Sequence, residues 1–152
     1  RMIENERNIN KLHELIVHWN DCNLNGLATL LNNQIELKTP SAKIGPFFLK
    51  GRDLKGIHHV LKFWKDLFEK FSFGCDNFTI ILVKPNLITT EVDYPNIKVS
   101  AKCNFEFDGE GQICLMHIYK VLDLGLEQEA KTVPLMFRLV ENRIKTKFSS
   151  RK

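Results

Sequence analysis

Apolar residues fall first at helical spacing along this chain and then at alternate positions. Over 8–20, Ile9, Leu12, Leu15, Ile16 and Trp19 share one stripe at 100° per residue, which predicts an amphipathic helix flanked by His13 and His18. Asn23 can accept a bond from a free backbone amide and so cap a second helix over 24–32, burying Leu24, Leu27, Leu30 and Leu31. A short strand over 34–38 and a loop over 39–52 follow. The loop holds Pro40, Pro46 and the pair Phe47-Phe48, which either packs against the next helix or closes over a pocket or partner. Asp53 is placed to cap a third helix over 54–71. Ile57, Val60, Leu61, Phe63, Trp64, Leu67, Phe68 and Phe71 form its apolar arc, and His58, His59, Lys62, Lys65, Asp66, Glu69 and Lys70 its wet one.

After Gly74 the period changes to two. Strands are predicted over 78–84 and 87–94, separated by Pro85-Asn86. Over 97–107, Ile97, Val99, Ala101, Cys103, Phe105 and Phe107 alternate with polar residues, the mark of a half-buried antiparallel strand. Asp108-Gly109-Glu110-Gly111 turns the chain into a strand over 112–122. A turn over 125–129, a strand over 130–140, a turn at Glu141-Asn142-Arg143 and a strand over 144–149 complete the reading. Helices first and a strand meander after is an α+β order. Long strands twist and curl, so three N-terminal helices over a strongly curved, mostly antiparallel sheet enclose an apolar cone. All 152 residues read as one domain.

Composition adds few constraints. Apolar residues make up 43% and phenylalanine contributes 11 of them, enough large rings to fill a wide space between sheet and helices. The net charge of +4 is mild and the lysines are scattered, so no nucleic-acid face is expected. No apolar run reaches the length of a membrane span, and no signal peptide opens the chain, so a cytoplasmic location without membrane contact is expected. The four cysteines, at 22, 75, 103 and 114, show no zinc or disulfide spacing and read as buried free thiols. Neither a metal set nor a glycine-rich phosphate loop occurs, and no cofactor is expected.

One stretch carries a resemblance. Asn20-Asp21-Cys22-Asn23-Leu24-Asn25-Gly26-Leu27-Ala28-Thr29-Leu30-Leu31, then Glu36-Leu37-Lys38-Thr39-Pro40, resembles the helix–elbow–helix and proline-ended strand of the NTF2-like superfamily, in its SnoaL-like and ketosteroid isomerase-like branch. Lys131-Thr132-Val133, Phe137-Arg138-Leu139 and 144–148 resemble its closing strands. The resemblance implies the cone fold and, for an isomerase, a carboxylate base before the proline, a helix-one tyrosine and a late-strand aspartic acid. This chain has Thr39, Leu15 and Leu135 (or its neighbour Met136) there, and none supplies a base or an acid strong enough for enolate chemistry.

The leading expectation is therefore a module that holds a small hydrophobic molecule, with Leu15, Trp19, Leu37, Trp64, Phe68, Phe105, Leu135 and Phe137 lining its pocket. An alternative is a SnoaL-type cyclase, isomerase or dehydratase using His117. A four-residue hairpin loop at 108–111 turns His117 away from the Phe105 face, and a three-residue loop turns it inward. Asp93, His13 and His18 are lesser candidates. A protein-interaction module is the third reading. The resemblance also implies a homodimer.

Overall fold

The protein is described here from a computed structural model, which covers residues 2–44, 47–70 and 74–123. Helix α1 runs from Met2 to Asn20 and buries Leu12 and Leu15. It ends in a Schellman turn: Asn23 N–H donates to His18 C=O (2.9 Å) and Cys22 N–H to Trp19 C=O (3.0 Å), with Cys22 at φ 53°. Asn23 then caps α2, Leu24–Thr29, its Oδ1 accepting from Gly26 N–H at 3.0 Å. This helix is shorter than the 24–32 expected. Leu31 and Asn32 already belong to β1, Leu31–Thr39, where Leu31, Ile35 and Leu37 point into the core.

The stretch read as a loop over 39–52 contains short strands, and Leu54 and Lys55, read as the start of the third helix, are strand as well. Ala42–Ile44 (β2) pairs with Phe47–Leu49 (β3), and Arg52–Lys55 (β4) pairs antiparallel with β1. Asp53 therefore pairs with Lys38 in a sheet and does not cap the third helix. That helix, α3 (Ile57–Lys70), starts after Gly56, whose φ of +99° suits glycine. Gly56 N–H donates to Ile35 C=O at 2.8 Å, tying the helix entry to β1.

Four strands follow: β5 (Asp76–Lys84), β6 (Leu87–Tyr94), β7 (Val99–Phe107) and β8 (Ile113–Asp123). They join β1 and β4 in one sheet of order β4-β1-β8-β7-β6-β5. Every neighbouring pair is antiparallel except β1 with β8. Ile97 and Lys98, expected to open β7, belong instead to the turn after β6. The fold is α+β, with three helices among the described residues on a large mostly antiparallel sheet.

The hairpin between β7 and β8 follows neither expected register. Phe107 pairs with Ile113, and the register then slips so that Glu106 meets Leu115 and Phe105 meets Met116. Asp108 organises the turn. Burial alone would raise its carboxyl. The Asn32 amide (2.7 Å) and the backbone N–H groups of Gln112 and Glu110 outweigh that and hold it low. The positions expected beyond Asp123, including Leu135, Phe137 and strands 130–140 and 144–149, lie outside the described residues. Among the described residues no helix is long and apolar enough to cross a membrane.

Candidate functional site

One face of the sheet and the helices enclose a cavity of about 400 Å³. Pockets that take drug-sized ligands span about 300–1,000 Å³. Alternation decides which side chains reach it. From β6, Thr90, Val92 and Tyr94 point in; from β7, Val99, Ala101, Cys103 and Phe105; from β8, Met116, Ile118 and Val121. Leu15, Ile16 and Trp19 of α1 and Phe63, Trp64 and Leu67 of α3 form the opposite wall. Trp19 meets Trp64 edge-on at 5.5 Å between ring centroids and Phe68 at 4.8 Å. These T-shaped contacts fix both indoles against the cavity.

Polar atoms inside are few and occupied. Thr90 Oγ1 donates to Cys103 C=O at 3.3 Å. Cys75 is held by Asn20, whose Oδ1 accepts from Cys75 N–H (2.7 Å) and whose Nδ2 donates to Cys75 C=O (3.2 Å). Burial pushes the Cys75 thiol up to about 12, against a smaller lowering by its bond with Tyr94. Burial also raises Cys103, and raises Tyr94 with help from the neighbouring Cys75 and Cys103 thiols. Near neutral pH all three stay protonated, so the deep cavity carries no charge from them.

Leu15, Trp19, Leu37, Trp64 and Phe105 stand on the cavity wall. Phe68 stands behind Trp19 and is not on the wall. Thr39 is on the wall too, its Oγ1 accepting from Arg52 N–H at 2.9 Å.

His117 is not. Its strand neighbours Met116 and Ile118 both face the cavity, and it pairs with Asn104 and Lys38, whose side chains share the opposite face. The register slip at Cys114 is the cause, since it returns Met116 to the inner face and sends His117 out. His13 packs against Phe78 at 5.7 Å, and His18 lies 3.3 Å from the Asn23 amide, at the elbow. Asp93 accepts from Asn77 Nδ2 at 3.0 Å, off the wall. His58 and His59 are exposed. Among the described residues the wall includes no histidine, and its carboxylate, Asp66, is exposed at the rim. No described group of three or more acidic, histidine or cysteine side chains is placed to hold a metal ion.

Sequence reasoning passed over two parts of the wall. One is the Cys75–Tyr94 pair, because Cys75 reads as a plain buried thiol and Tyr94 as the end of a strand before Pro95. The other is Leu49, Lys50 and Arg52, which lay inside the stretch read as a loop, next to Phe48, which the sequence reading had allowed to close over a pocket.

The sequence matches no protein-family model, and no curated protein matches it. Solved structures do resemble the fold. An NTF2-like protein of unknown function from Cytophaga hutchinsonii is 14% identical, with a TM-score of 0.54 over 74% of this chain and 88% of the other. A SnoaL-like protein of unknown function from Burkholderia thailandensis is 18% identical, with a TM-score of 0.56 over 76% and 97%. A Mycobacterium tuberculosis protein in complex with estradiol-17β-hemisuccinate is 15% identical, with a TM-score of 0.55 over 78% and 96%. The chain has the NTF2-like fold shared by these proteins and by the ketosteroid isomerase-like and polyketide cyclase-like structures around them.

Proposed function

We propose that the protein binds a small hydrophobic molecule in the cavity between α1, α3 and the sheet, and performs no ketosteroid isomerase chemistry there. The observation that carries this reading is the composition of the wall. About 400 Å³ of space is bounded by two tryptophans, aliphatic side chains and protonated thiols, with no described histidine or buried carboxylate. Such a space favours apolar ligands because burying their surface releases about 25 cal/mol per Å². Enolate chemistry needs a base and donors aimed at developing negative charge. Leu15 and Thr39 stand on the wall in place of two of those groups, and the Thr39 hydroxyl is engaged with the Arg52 backbone. The Mycobacterium tuberculosis neighbour was solved with a steroid ester, which supports the size class.

A thermal melt tests the reading. A neutral apolar compound such as 1-dodecanol or estradiol, at 100 times its Kd, should stabilise the fold by about 2.7 kcal/mol. No shift with either compound, up to its solubility limit, would remove the basis for the proposal.

A further inference from the structure

The mouth of the cavity is charged where its interior is not. Lys50, Arg52 and Lys70 belong to the wall and are exposed, so they stand where the cavity opens to solvent, with Asp66 as the one carboxylate among the described wall residues. Among the described residues none of these three cations has a carboxylate within ion-pair distance; the Lys55–Glu36 ion pair, at 3.6 Å, lies away from the cavity wall. Among the described residues the rim therefore carries two more positive charges than negative ones.

The placement of these cations is built into the fold. Arg52 N–H donates to Thr39 Oγ1 and Gly51 N–H to Ser41 Oγ, both at 2.9 Å. A Cβ on Gly51 would stand 2.9 Å from Ser41 N and Thr39 O, so only glycine lets these two segments lie so close. The Arg52 guanidinium sits 5.8 Å over the Phe63 ring, a contact that orients the charge without neutralising it. Phe63, Asp66 and Lys70 follow one another at i, i+3 and i+7 on α3, so one face of that helix forms the rest of the rim.

A greasy well under a preorganised cationic rim matches an amphipathic anion. The apolar body gains by leaving water, while a carboxylate carried inside would lose its hydration with no cation to meet it among the described wall residues. Resting on the cavity-binding reading above, we propose that the natural ligand is an aliphatic or alicyclic carboxylate. Its hydrocarbon body lies against Trp19, Trp64 and Phe105, and its carboxylate sits at the mouth between Lys50, Arg52 and Lys70.

Dodecanoate and 1-dodecanol share a chain and differ in the head group, so their Kd values on the intact protein separate the two readings. At low salt dodecanoate should bind about tenfold more tightly, and 0.5 M NaCl should erase most of that advantage. The double variant Lys50→Gln/Arg52→Gln should bring dodecanoate to within about twofold of dodecanol. Lys70→Gln, on the exposed face of a helix, should narrow the gap part-way and serves as the second variant if the double one unfolds. Equal affinity for the two compounds, or a dodecanoate preference that survives both variants and high salt, overturns the anionic assignment and leaves the cavity reading standing. Failure of both compounds to bind overturns both.

Discussion

Ala101 stands in the middle of β7 with its Cβ on the cavity wall, between Val92 on β6 and Val121 on β8. Replacing it by phenylalanine gives stability changes of opposite sign in a hollow fold and in a filled one. A buried phenylalanine covers about 150–250 Å². If roughly 100 Å² of that is newly removed from water beyond what alanine already covers, the gain is about 2.5 kcal/mol. Ordering the ring and imperfect contact with the far wall reduce this to a net gain of about 1 kcal/mol. Were the same space filled by side chains, the ring would have to displace them, costing about 1–3 kcal/mol. At about 4 °C per kcal/mol for a chain of this size, the two cases differ by roughly 8–16 °C. Calorimetry gives the sign, and a dodecanoate titration of the same sample gives the second readout. The cavity account expects a raised Tm together with an affinity at least tenfold weaker. A Tm lowered by 4 °C or more would refute the reasoning, because it would mean there is no void for the ring to enter.

Other perturbations test the supporting structure. Asn23→Ala removes the acceptor that caps α2 and should cost about 1 kcal/mol in denaturant unfolding. Cys22→Gly relieves a left-handed residue (φ 53°) at the end of α1 and should stabilise by about 0.5–1 kcal/mol in the same assay. The Cys75 thiol titrates near 12 in the fold against an ordinary 9.0, so the folded state keeps a proton that the unfolded chain loses first. Its contribution to stability is full below pH 9 and is lost as pH rises toward 12; chemical unfolding at pH 8, 10 and 11 should show the decline, and Cys75→Ser should flatten it. A thiol reagent at pH 8 should label exposed Cys22 at once and reach Cys103 only on unfolding.

How much of this was legible in the sequence varied with the strength of the local pattern. Both long helices and the strands over 87–107 carry clean periods, and the fold follows from them. Leu30-Leu31-Asn32 reads as helix because leucine favours helices, but pairing of Leu31 with Ile113 of β8 draws this end of the segment into β1. Strands β2 and β3 have three residues each, too few to show alternation, so they read as loop together with Arg52, the first residue of β4, and took Lys50 and Arg52 out of view. Asp53 has the chemistry of a cap, but Gly56 makes the turn into α3 and leaves Asp53 in a strand. The direction of His117 was the least legible feature. It depends on a one-residue slip at Cys114, and nothing in the local composition marks a bulge there. The side chains of the wall are ordinary core residues by their spacing, since cavity walls and filled cores follow the same pattern.

Trp19 and Trp64 are the two tryptophans of the chain, and both stand on the cavity wall. Their emission therefore reports the central claim without any label. Titrating the folded protein with dodecanoate should shift and quench that emission along a saturable curve ending at one equivalent. An unchanged spectrum up to the solubility limit, with the fold intact by circular dichroism, would contradict a ligand-holding cavity between helices and sheet.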